Sequence, residues 1–193
     1  MDVAIHRLNV RHRDDIERHL LRLPEEDRRL RFGHAIRDEA VRAYVAKIDF
    51  ERDRVFGILD AGLDLLGVAH LALDPGHKLA EFGVSVDPAC RGKGYGFALL
   101  KRVVLHAANL GYRSLFMVCL AENRIMMHLA QKAGLRVVVE AGEADARMGL
   151  DRAIHGGALR EALEDQFELV DTLFKQQYFW LSKPFAEPER KTA

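Results

Sequence analysis

Residues 81–96 read Glu81-Phe82-Gly83-Val84-Ser85-Val86-Asp87-Pro88-Ala89-Cys90-Arg91-Gly92-Lys93-Gly94-Tyr95-Gly96. Phe82, Val84 and Val86 alternate with Glu81, Gly83 and Ser85, the period of a strand with two unlike faces. Asp87-Pro88 stops the strand, because proline cannot donate to a ladder. Glycines at 92, 94 and 96 then lead into Phe97-Ala98-Leu99-Leu100-Lys101-Arg102-Val103-Val104, an apolar helix. A glycine-rich turn between strand and helix collects unpaired backbone N–H groups at the helix start, where the dipole adds partial positive charge. That is a phosphate-binding device. Glycines at such a corner also serve as plain turn residues.

Two familiar phosphate loops do not fit. Gly92-Lys93 is followed by Gly94, where a P-loop needs Ser or Thr, and the glycines lack the Gly-x-Gly-x-x-Gly rhythm of dinucleotide folds. Working outward, residues 3–10 read as a first strand, and Asp14 or Asp15 as the cap of a helix carrying Ile16, Leu20 and Leu23. Pro24 with Glu25, Glu26 and Asp27 starts a second helix. Asp38 caps a third, striped with Val41, Tyr44, Val45 and Ile48. Residues 54–59 and 65–73 read as strands joined at Asp60-Ala61-Gly62, and residues 79–86 as the strand entering the glycine loop. A helix over 95–110 ends at Gly111, a strand covers 114–120, and a helix runs from Asn123 to Gly134. Residues 137–139 and 146–150 read as a last hairpin around Gly142. Beyond residue 150, Leu159, Leu163, Phe167, Val170, Phe174, Tyr178 and Leu181 step by four and three, the stripe of a long amphipathic helix ended by Pro184.

The whole chain, 193 residues with 49% hydrophobic content, is long enough for one domain with a real core. Lys plus Arg and Asp plus Glu are both 29, a balance unlike the basic excess of a nucleic-acid binder. Cys90 and Cys119 read as reduced structural thiols, and no His pair shows metal spacing, so no metal is expected. The start lacks a signal-peptide core and no apolar run spans a bilayer, so no membrane partner is expected and the cytoplasm is the default location.

Arg91-x-x-Gly94-x-Gly96 after Val86-Asp87-Pro88, followed by Asn123-Arg-Ile-Met-Met-His-Leu-Ala-Gln-Lys-Ala-Gly-Leu135, resembles the GNAT superfamily of acyl-CoA-dependent N-acyltransferases. The likeness covers roughly residues 1–150 and is strongest over 79–135. It implies an α/β fold with a mixed, mostly antiparallel sheet, helices on both faces, and a splay between the fourth and fifth strands, here 79–86 and 114–120. The co-substrate implied is acetyl-CoA. Its pantetheine arm would pair with the backbone of Val84, Ser85 and Val86, and its pyrophosphate would meet the N–H groups of Gly92, Lys93, Gly94, Tyr95 and Gly96. Arg91 would add charge, and Asn123 would touch the pantetheine. Asn123 also reads as a simple N-cap, Lys93 equally as a solvated cation, and Ser85 as a plain strand residue. Residues 1–150 are then the acetyltransferase domain, 151–186 an added helix packed on the domain or on a partner subunit in a homodimer, and 187–193 a frayed tail.

Acyl transfer needs a neutral amine. Deprotonating one of pKa about 10.4 at pH 7 costs roughly 4–5 kcal/mol, so a base is required. Glu81, on the pantetheine-pairing strand, is the candidate base, as the resemblance implies; partial burial there would raise its pKa toward a useful value. It also reads as a surface carboxylate paired with Lys78. Ala130 stands where many family members carry a tyrosine acid, which inclines the chain toward the protein-lysine acetyltransferase-like branch. Phe32, His34, Tyr44, Arg147 and Met148 are candidate acceptor walls, and Cys119 lies near the expected splay. The acceptor is a small-molecule amine or a protein lysine. A non-catalytic acyl-CoA sensor and a nucleotide-binding protein are the rival readings.

Overall fold

The alternation in residues 54–86 dictates strands that must cover both faces, and the fold does so with two hydrophobic cores. A computed structural model describes residues 3–150. Within them β1 (His6–Leu8) is followed by a 3-10 turn, α1 (Arg13–Arg22), α2 (Glu25–Phe32) and α3 (Asp38–Ala46). Next come β2 (Arg54–Leu59), β3 (Leu65–Asp74) and β4 (Leu79–Val86). After the loop come α4 (Tyr95–Asn109), β5 (Ser114–Leu120), α5 (Arg124–Lys132), β6 (Arg136–Glu140) and β7 (Glu143–Gly149). The seven-stranded sheet has the order β1-β2-β3-β4-β5-β7-β6, antiparallel except for β4 with β5. This is the mixed, mostly antiparallel sheet expected.

The two faces separate by register. Leu71 of β3 lies opposite Phe82 of β4, and both join Phe56, Leu99, Leu100 and Val103 in the core under α4. Val68 faces the other way, into a core with Ile16 and Leu20 of α1 and Val41 and Val45 of α3. Each such aliphatic side chain contributes about 1.5–3 kcal/mol relative to exposure. Helices α1 and α3 therefore cover one face and α4 the other.

Some boundaries differ from the pattern reading. The first strand is only His6–Leu8, because Asn9 turns the chain, its side chain accepting from the Arg11 N–H at 3.0 Å. His12 rather than Asp14 or Asp15 occupies the position before α1; both acids lie in its first turn, where they suit the dipole. Likewise Arg37 precedes α3 and Asp38 is its first residue. The last hairpin is longer than expected, Glu140 pairing with Glu143 across Ala141-Gly142. Both turn residues have positive φ, 51° and 88°, the geometry whose twist matches paired strands. The expected helix over 151–186 and tail over 187–193 lie outside the described residues.

Candidate active site

Strands β4 and β5 run parallel for three pairs only, ending at Glu81 opposite Phe116. Beyond that point residues 82–86 pair with β3 alone and residues 117–120 with β7 alone. Two strand edges therefore face each other across a gap, each with backbone groups to offer. The gap opens into a cleft of about 910 Å³, lined by Glu81, Val84, Ser85, Val86 and the glycine loop on one side and by Met117 and Cys119 on the other. Phe32, His34 and Tyr44 line it as expected. Arg147 and Met148 do not; they border a separate depression with Leu79 and Phe116.

The loop forms for local reasons. Asp87 accepts from the Ala89 N–H at 2.9 Å and starts a 3-10 turn over Pro88–Cys90. Gly94 caps α4 at φ 82°, a conformation that costs a side chain roughly 1–2 kcal/mol. The first bond of that helix runs from the Ala98 N–H to the Gly94 carbonyl at 3.0 Å. The N–H groups of Tyr95, Gly96 and Phe97 precede it and face out of the helix end. No acid occupies the first turn of this 15-residue helix, so the site suits an anion. Gly96 has a second duty: a Cβ there would lie 3.0 Å from Leu129 Cδ1, so it also lets α5 pack close.

Other expected residues carry partners that no sequence pattern specifies. The Arg91 guanidinium pairs with Asp27 of α2. Lys93 is exposed and its Nζ lies 3.8 Å from Cys90 Sγ. Asn123 caps α5, accepting from the Met126 N–H at 3.1 Å, while it also lines the cleft. Burial pushes the Cys119 thiol above its usual range, which keeps it protonated and disfavours it as a nucleophile. Ala130 is wholly buried in the core, so no hydroxyl stands at that position. Glu81 lines the cleft but is exposed, not partly buried as expected. The strands part at Glu81, whose pairing with Phe116 is the last between β4 and β5. Lys78, the partner in the alternative reading of Glu81 as a paired surface carboxylate, sits instead over the Tyr112 ring at 5.5 Å.

Two buried constructions border this cleft. His19 of α1, 1% exposed, has Nδ1 2.9 Å from the Leu65 carbonyl and Nε2 2.9 Å from Ser85 Oγ. A carbonyl can only accept, so Nδ1 carries the proton and Nε2 accepts from the Ser85 hydroxyl. Burial lowers the imidazole pKa to about 4, although the Leu65 bond pulls it upward. A neutral imidazole is thus built into the fold. Its contribution is complete above pH 6.5 and is lost as pH falls toward 4, up to about 3 kcal/mol. Urea unfolding from pH 7 to 4 should show this decline, and His19→Gln should flatten it.

The second is a string across three elements. Asp53, 3% exposed, takes His70 Nε2 at 3.1 Å, the Leu73 N–H at 3.2 Å and Arg52 Nε at 2.9 Å. Burial pushes the Asp53 carboxyl up, but these three donors outweigh it and hold it well below the carboxylate range. His70 Nδ1 lies 2.7 Å from the Tyr44 hydroxyl, which receives an Arg31 N–H at 3.0 Å. Sequence reading placed Tyr44 on a pocket wall but missed Arg31, His70, Asp53 and His19. Their spacing in the chain carries no signal, since only the packing of α1, α2 and α3 on the sheet assembles them.

Comparisons with known proteins agree with this geometry. A Bacillus subtilis (strain 168) protein named "Putative phosphinothricin acetyltransferase YwnH" is 41% identical over 58 residues, 30% of this chain and 36% of that protein. The match thus spans about a third of that relative's length. Among solved structures, the GNAT domain of S. lividans PAT superposes with a TM-score of 0.64 at 18% identity, covering 75% of this chain and 89% of that one. A Sinorhizobium meliloti phosphinothricin acetyltransferase solved with AcCoA gives 0.61 at 17%, covering 80% and 91%. A Vibrio cholerae spermidine N-acetyltransferase solved with CoA and spermine gives 0.61 at 18%, covering 77% and 95%. The profile of the Acetyltransferase (GNAT) family matches residues 14–135, the span that holds α1, the parted strands and the glycine loop. With more than half of its length inside that match, the chain belongs to the GNAT family of acetyltransferases.

Proposed function

We propose that this protein transfers an acetyl group from acetyl-CoA to the primary amine of an acceptor, with Glu81 as the base. The observation that carries the reading is the parting of β4 and β5 after Glu81 and Phe116, beside a helix end free of acids. The open β4 edge offers Val84, Ser85 and Val86 to the amides of the pantetheine arm. The loop N–H groups from Gly92 to Gly96 offer themselves to the pyrophosphate. Solved family neighbours that hold AcCoA or CoA support the choice of co-substrate.

The amine nitrogen attacks the thioester carbonyl carbon and a C–N bond forms. Its proton passes to the Glu81 carboxylate, directly or through one water. The tetrahedral intermediate then collapses, the C–S bond breaks, and CoA leaves as thiolate. A thiol with a pKa near 8.5 is a fair leaving group, so solvent can protonate it, and the buried Ala130 offers no alternative acid.

Titration calorimetry with acetyl-CoA and with ATP, and thiol release across a panel of primary amines, test the reading. Acetyl-CoA is expected to bind and ATP not to compete. Gly94→Val places a branched side chain at φ 82° and should weaken acetyl-CoA binding about tenfold, one misaligned bond to a charged group. The absence of a phenol at Ala130 favours a second reading, a non-catalytic acyl-CoA-binding module. Tight acetyl-CoA binding with no thiol release from any amine would select it.

A further inference from the structure

Arg31 lies in the last turn of α2 and lines the cleft. Its guanidinium rests on β4 where Gly83 has no side chain; a Cβ at 83 would collide with it. The guanidinium is held in place on several sides. Phe32 and Tyr44 present ring faces at 5.1 and 5.7 Å. The Tyr44 hydroxyl accepts one N–H at 3.0 Å and is itself tied through His70 to the buried Asp53. Among the described residues no carboxylate lies within ion-pair distance of Arg31, whereas Arg91, the other arginine lining the cleft, is paired with Asp27. An oriented, half-buried guanidinium with free donors has the geometry that receives a planar or tetrahedral oxyanion.

The register adds the second half of the argument. Glu81, Gly83 and Ser85 share one face of β4, and His70 lies beside Gly83 on that face. Glu81 and the Arg31 seat are therefore two residues apart on one strand, about 7 Å. A negative and a positive group at that spacing complement an ammonium and an anion a few bonds apart.

We propose that the acceptor carries a carboxylate or phosphorus oxyanion close to the amine that is acetylated, and that Arg31 binds this anion. Tyr44, His70 and Asp53 are positioning residues that keep the guanidinium over Gly83. This rests on the acetyl-transfer reading for its chemistry but not for its binding step. A polycationic acceptor such as spermidine would meet Arg31 as a like charge.

The test compares matched acceptors with the full chain: an α-amino acid, its primary amide, its decarboxylated amine, aminomethylphosphonate and spermidine. The amino acid or the phosphonate should exceed the amide and the plain amines in kcat/KM by roughly 10- to 100-fold, and which of the two is better identifies the anion. Arg31→Met should remove that advantage through KM, so that the amino acid, its amide and the plain amine come to be used within about threefold of one another. Gly83→Ala, which evicts the guanidinium without deleting it, should act in the same direction, and Tyr44→Phe more weakly. Calorimetry of the same compounds on the CoA-saturated protein reads binding without turnover. Anion-dependent binding lost in Arg31→Met, with no acetyl transfer at all, would sustain the Arg31 assignment and reject the acetyl-transfer reading. Equal use of amide and amino acid, a preference for spermidine, or an equal loss for every acceptor in Arg31→Met would overturn the assignment. The last result would place the guanidinium on the thioester instead.

Discussion

Glu81→Gln should lower kcat by about 10²–10⁴ at pH 7, the range a positioned base supplies. The carboxylate stands where β4 and β5 part and lines the cleft. Among the described residues it has no cation to neutralise it, since Lys78 is engaged with Tyr112. Glutamine keeps the size and the strand but cannot take a proton. The residual rate of the variant should therefore climb about tenfold per pH unit toward the amine's own pKa, near 10.4 for a lysine-like amine. Acetyl-CoA affinity should be unchanged, because the glycine loop and the open edge of β4 lie further along the chain. Calorimetry beside the pH–rate profile separates the two quantities. A rate and profile equal to wild type would show that the proton leaves by another route.

Asp53→Ala should cost about 3 kcal/mol of stability, read as a fall in the urea unfolding free energy at pH 7. The buried carboxylate receives His70, Arg52 and the Leu73 N–H. Truncating it leaves the backbone N–H without an acceptor and the imidazole without its anchor. Because the fold holds this carboxyl below its ordinary range, its contribution is present above about pH 4 and is lost as pH falls further. Combined with the loss from His19 between pH 6.5 and 4, the wild-type protein should weaken steadily on the acid side. Asp53→Ala also frees Tyr44 and Arg31, so KM for an anionic acceptor should rise even in conditions where the variant remains folded. A variant as stable as wild type would mean that solvent satisfies this site and that the string does not stabilise the fold.

The legible parts of the molecule are those encoded within a few consecutive residues. Strands 54–59, 79–86 and 114–120 have the predicted bounds because alternation is a local property of each segment. The glycine loop is legible because positive φ at Gly94 and the cap at Asn123 are demands on single residues. Terminal turns read less well. Asp14 and Asp38 look like caps from composition, yet each lies just inside its helix, since the acid serves the dipole equally well from the first turn. Glu81 was legible as a position but not in its exposure, which depends on where a neighbouring strand departs.

The cleft's chemistry shows the same division. Residues 79–135, taken as a string of letters, already showed a glycine-rich helix start and a carboxylate on the strand before it, because both are local patterns, whereas the parting of the sheet was legible only through the resemblance to a known family. Whether Arg31 lies over Gly83, whether His19 holds the Ser85 hydroxyl, and whether His70 bridges Tyr44 to Asp53 were decided only by tertiary packing. These contacts join residues 17 to 66 positions apart. Only the closure of α1, α2 and α3 onto the sheet brings them within reach, and the burial that closure creates is what gives their charges and tautomers a fixed state.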